Sequence, residues 1–123
     1  MHTVADLRAA CAALPGSRET FPFGPTTLVF KVGGKVYALT DIQAEPLTLS
    51  LKCDPARAEA LRAQHDAITP GYHLSKRHWN TLSLDGRLDP ALVTELLQHS
   101  YALVVGGLTR AQRAELEGDP PAR

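Results

Sequence analysis

Two adjacent glycines, Gly33 and Gly34, separate two stretches of alternating side chains, and nothing else in this chain of 123 residues restricts its fold so tightly. Before them Leu28, Phe30 and Val32 alternate with Val29 and Lys31; after them Lys35-Val36-Tyr37-Ala38-Leu39-Thr40 resumes the period of two. That period belongs to a strand, whose successive side chains face opposite sides. A two-residue connection between strands needs positive φ angles, which glycine adopts without steric cost. An antiparallel hairpin is therefore predicted. Leu47, Leu49, Leu51 and Cys53 alternate with Thr48, Ser50 and Lys52, which predicts a third strand with one buried and one wet face. Lys31, Lys35 and Lys52 fall on the wet sides.

Helices are predicted around this sheet. Val4, Leu7, Cys11 and Leu14 recur at steps of three and four, with Thr3 placed to cap and Pro15-Gly16 to stop the helix. Asp54-Pro55 and Asp89-Pro90 each open a helix, since Asp caps and Pro fits the first turn. The first of these runs to about His65. The second carries the stripe Leu92, Val93, Leu96, Leu97, Tyr101, Val104 and Val105, and Gly106-Gly107 ends it. Thr109 and Gln112 have capping-box spacing for a last helix to Gly118, followed by a frayed tail over 119–123. Residues 67 to 84 read as a second hairpin, Ile68 to Leu74 and Trp79 to Leu84. Phe21-Pro22-Phe23-Gly24-Pro25 reads as an ordered loop pinned by its two phenylalanines. The expected order is α-β-β-β-α-β-β-α-α. This is an α+β domain over residues 1–118, an antiparallel sheet of about five strands with helices packed on it.

Composition excludes more than it assigns. Thirteen Lys and Arg balance 13 Asp and Glu, so no global field draws the chain to polyanions, and any charge-driven function must come from a local patch. The uncharged stretch from Leu96 to Thr109 is shorter than the ~20 apolar residues a membrane span needs. No basic and then apolar leader opens the sequence, and Cys11 and Cys53 sit among apolar residues as buried thiols do; a reduced, cytoplasmic setting is expected. The five histidines share no metal-ligand spacing, so no metal is expected. Neither cysteine has the electropositive setting of an activated thiol, and no serine has an evident base. Gly33-Gly34 leads into a strand and not a helix, which excludes a phosphate loop. No catalytic residue and no cofactor is predicted; the chain reads as a non-enzyme.

One segment stands apart. Residues 69–81 hold no acid, two fixed positive charges, two histidines and two large aromatics. Lys76 and Arg77 can neutralise phosphates, with His73 and His78 beside them, and Asn80 offers a bidentate amide to a base. Tyr72 and Trp79 present either faces for bases or packing for the hairpin, and sequence leaves both readings open. Lys31, Lys35 and Lys52 extend the candidate patch. DNA is the partner this chemistry suits; the alternative is a protein-binding or chaperone-like adaptor using the sheet face or the Tyr101 stripe.

The run Pro-Gly-Tyr-His-Leu-Ser-Lys-Arg-His-Trp-Asn-Thr over 70–81 resembles a signature of the MmcQ/YjbR family. So do Leu-Val-Phe-Lys-Val-Gly-Gly-Lys-Val-Tyr-Ala-Leu (28–39), Leu-Ser-Leu-Lys-Cys-Asp-Pro (49–55) and His-Ser-Tyr-Ala-Leu-Val-Val (99–105). Leu74 stands where the family has methionine. The resemblance implies a compact α+β fold likened to frataxin and to type III secretion chaperones, and a double-wing DNA-binding motif. The wings would map onto the hairpins at Gly33-Gly34 and around Lys76-Arg77. Frataxin-type iron binding is not implied, because helix 1 offers only Asp6 with Glu19 beyond its end.

Overall fold

The computed structural model describes residues 1–71 and 74–117. Its elements are α1 (Val4–Ala12), β1 (Arg18–Thr20), β2 (Thr27–Val32), β3 (Lys35–Asp41), β4 (Thr48–Lys52), α2 (Pro55–Gln64), β5 (Ile68–Pro70), β6 (Trp79–Ser83), α3 (Pro90–Gly106) and α4 (Arg110–Glu117). The strands form one antiparallel sheet of six, in the order β1-β2-β3-β4-β6-β5. The α+β class and helix placement are as expected, with one strand more than the sequence suggests. That strand, β1, has three residues between Gly16 and Pro22, too few to display a period. The predicted tail over 119–123, the end of the last helix at Gly118, and Tyr72 and His73 lie outside the described residues.

Local chemistry accounts for the boundaries. Gly33 and Gly34 take φ of 59° and 80°, closing β2 onto β3. The Thr3 hydroxyl accepts from the Asp6 amide, and the Asp6 carboxylate accepts in return from the Thr3 amide. Asp54 and Asp89 accept from the amides of Arg57 and Ala91 with proline in the first turn. Thr109 and Gln112 exchange the two bonds of a capping box. The loop 21–25 is a correction: Phe21 and Phe23 are 45% and 72% exposed, so neither pins it. They fall beyond the β1–β2 ladder and outside the core cluster, and a bond from the Ile42 amide to the Thr26 carbonyl fixes the loop's end instead. β5 also stops short of Leu74, at Pro70.

The core lies on one side of the sheet. Leu28, Phe30, Leu49, Leu51 and Leu82 point there and join one cluster with Leu7 and Cys11 of α1, Ala58 and Leu61 of α2, and Leu96 and Leu97 of α3. One irregularity sharpens the packing. Phe30 faces Ala38 while Lys31 faces Val36, so Tyr37 is the extra residue of a bulge. The bulge turns Tyr37 toward the helices, where its ring meets Tyr101 edge-on at 5.4 Å and its hydroxyl bonds Ser17. Beside it the Ser100 hydroxyl donates to the Tyr37 carbonyl at 2.6 Å and accepts from the Lys52 amide at 2.9 Å, tying α3 to β3 and β4. The opposite face carries none of α1, α2 and α3, while α4 reaches its hairpin end, lining a groove with Arg18, Thr20 and Lys31.

Candidate functional site

The basic segment forms a loop over 74–78 that leads into β6. His78 donates its amide to the Ser75 carbonyl, the Cys53 amide bonds the His78 carbonyl at 2.8 Å, and Arg62 of α2 donates to the Lys76 carbonyl at 2.7 Å. Lys76, Arg77 and His78 are exposed. Lys76 and Arg77 line a groove against α2 with Asp54, Glu59 and Arg62, so two carboxylates temper their charge. Asn80 is a correction. It is 2% exposed, pairs with Leu51 on the helix side, and its Nδ2 donates to the Ala58 carbonyl at 3.3 Å. Even-numbered residues of β6 face inward, so this amide does not meet a base.

The opposite face gathers other cations. Opposed residues of antiparallel strands share a face. Arg18 opposes Lys31 and Lys31 opposes Val36, while Lys52 on β4 opposes Trp79 on β6. One end of the open face therefore runs Arg18, Lys31, Val36, Lys52 and Trp79 across five strands. The row beside it runs Thr20, Val29, Leu39, Ser50, Thr81 and Thr69, with no acid. The third row brings Asp41 opposite Thr27 at the far end. Trp79 is half-buried on this face, which places it between the core and surface readings. Lys35 does not join the row: it opposes Val32, which points to the helix side.

Arg18 is the residue that sequence reasoning missed, because the strand presenting it was not recognised. Neither Arg18, Lys31 nor Lys52 forms an ion pair among the described residues. Other cations do: Arg8 with Glu19, Arg57 with Glu95, and Arg87 with Asp85. The last pair holds the Asp85 carboxyl down to about 2. Glu19 turns to the helix side, away from Arg18. Glu115 of α4 and Glu19 line one groove with Arg18, Lys31, Gly33 and Gly34, so two carboxylates stand beside this end of the cationic row.

Chemistry beyond charge is sparse. Burial raises both thiols, Cys11 to about 11, which keeps them protonated near neutrality. The imidazole Nε2 of His99 accepts from the Asp54 amide at 3.4 Å. No group of three His, Cys, Asp or Glu side chains among the described residues is placed to hold a metal. No described helix is long and apolar enough to cross a membrane.

Comparison with known proteins locates this architecture. A model of the YjbR family matches residues 12–103. The uncharacterised Escherichia coli proteins YbdF and YjbR are 36% and 33% identical, over 79% and 90% of this chain and 80% and 94% of their own. A Deinococcus radiodurans crystal structure with the domain DUF419 is 56% identical and superposes with a TM-score of 0.90, over 98% of this chain and 91% of that one. A Pseudomonas syringae structure at 24% identity shares the fold, with a TM-score of 0.71 over 82% and 97%.

Proposed function

The chain belongs to the YjbR family, and from that footing we propose that it is a non-catalytic DNA-binding module whose contact surface is the basic end of the open sheet face, continued around its edge by Lys76, Arg77 and His78. The observation that carries this reading is the pairing of Arg18 with Lys31. Like charges directly opposed on neighbouring strands destabilise a sheet. Among the described residues no carboxylate is ion-paired to either, although Glu19 and Glu115 share their groove and the molecule neutralises Arg8, Arg57 and Arg87 by such pairs. A cation pair that no acid closes into an ion pair is understandable if a polyanion occupies it. Lys52 lies two strands beyond Lys31 on the same row, so a third contact is in reach. Two buried, unpaired thiols suit a reducing cytoplasm.

A protein-binding adaptor is the second reading, favoured by the exposure of Phe21 and Phe23. Fluorescence anisotropy with labelled DNA at graded salt separates the two. With about three phosphate contacts, log K should fall against log salt with a slope near −2 to −3. Replacing Arg18, Lys31 and Lys52 together by glutamine should remove most of that slope while the thermal midpoint holds. Lys76→Ala with Arg77→Ala should reduce it further. Absence of binding at low salt, or an unchanged slope in the triple variant, would pass the function to the adaptor reading.

A further inference from the structure

Resting on that reading, we propose that the DNA is single-stranded and crosses the sheet along the row Arg18, Lys31, Val36, Lys52 and Trp79, its unpaired bases against the apolar and hydroxyl side chains of the open face. Width is the first argument. Strands lie about 4.8 Å apart, so the row spans about 19 Å from β1 to β6. A duplex major groove is about 12 Å wide and admits a helix or a two-stranded ribbon. A face five strands wide enters neither groove, and a rigid duplex laid on it keeps every base stacked out of reach.

The make-up of the face is the second argument. A purely electrostatic platform needs only charge, yet Val36 and Leu39 are interleaved with the cations and with Thr20 and Ser50. Val29, at 0% exposure, is closed off and offers no surface to a base, so the half-buried Val36 and Leu39 are the apolar side chains within reach. Such a surface matches flat bases alternating with phosphates, the pattern of strand-binding platforms. Asp41 on the far row disfavours phosphates there. The strand is thereby confined to the basic end and runs across the β-strands rather than along them.

Trp79 supplies the third argument. It ends the row beside Lys52, and the position next to it is Gly71, where a Cβ would stand 2.7 Å from the Trp79 Cβ. No side chain therefore grows over the indole from that position, while Leu74 approaches the same spot from the loop. An indole adjacent to a phosphate-binding lysine gives one base a stacking partner.

Trp79 is the single tryptophan, so its intrinsic emission reports this contact alone. The experiment titrates the full chain with an oligothymidylate and with a duplex of equal length, following Trp79 emission and the anisotropy of labelled DNA. The single strand should bind at least tenfold tighter, quench Trp79, and show a slope near −2, about −0.7 for each of three contacts. Trp79→Leu should weaken it about tenfold. Because that variant can also disturb folding, Arg18→Glu with Lys52→Glu tests the same path with the tryptophan intact, and should abolish quenching with the midpoint retained. Equal affinity for duplex, or single-strand binding that leaves Trp79 emission unchanged, overturns the single-strand assignment and leaves the DNA reading standing. No binding of either probe at low salt overturns both.

Discussion

Cys11 sits 1% exposed on α1, and burial keeps its proton on to about 11, against the opposing pull of a hydrogen bond with Tyr37. The thiolate is the nucleophile, so the native chain should resist a thiol reagent at pH 8 and yield two reactive thiols in denaturant. The sign of the pH dependence follows. The unfolded thiol loses its proton near ~8.5, the folded one only at about 11. Between those values the folded state binds the extra proton, so stability falls as pH rises. Cys11→Ala should flatten that fall when stability is measured by denaturant titration from pH 8 to 11. What sequence revealed at this scale was local: Thr3, Asp54 and Asp89 cap because their side chains reach amides two or three residues on. Asn80 and Tyr37 were illegible because the partner strand sets which side each takes. Asn80 looks polar and available until its pairing with Leu51 turns it inward.

Among the elements, the β2–β3 hairpin was the most legible, since two glycines announce positive φ directly. Its two positions are not equivalent. A Cβ at Gly33 would lie 2.7 Å from Leu108, whereas one at Gly34 meets nothing within 4 Å. Gly34→Ala should cost about 1–2 kcal/mol for the left-handed backbone alone. Gly33→Ala should cost more, because Leu108 must also move; chemical denaturation compares the two. Ser100 makes a second test. Its hydroxyl accepts from the Lys52 amide, where the ladder runs out, so Ser100→Ala should cost about 1–3 kcal/mol through a stranded donor. A loss within error of zero would mean that the α3–β4 tie contributes nothing. Sequence placed α3 and its stripe but gave no sign of this bond, which joins residues 48 positions apart.

For the molecule as a whole, one cluster spans α1, α2, α3 and the inner sheet face. Such a core should unfold as a unit, with Trp79 fluorescence and far-UV circular dichroism giving coincident transitions. Leu96→Ala, at 4% exposure in that cluster, should lower stability by about 2–5 kcal/mol and shift both signals together. A net charge of zero hid the candidate site. Only the strand register sorts the cations of β1, β2 and β4 to one end and Asp41 to the other. Sequence saw Lys31 and Lys52 as wet residues without showing that they align with Arg18, and it gave Lys76 and Arg77 without the carboxylates of α2 beside them.

A sheet left bare on one side has two further exposures, its outermost strands, whose free amides and carbonyls invite another chain to add on and continue the ladder. Here both borders are stubs of three residues: β1 with Arg18 and Glu19 at its start, and β5 ending in Pro70, which has no amide hydrogen to offer. A newcomer would gain few bonds at either border before its own chain ran past the end. The protein can therefore keep a broad apolar-and-basic surface open to solvent without that surface seeding fibrils, because growth is stopped at the margins and not on the face itself.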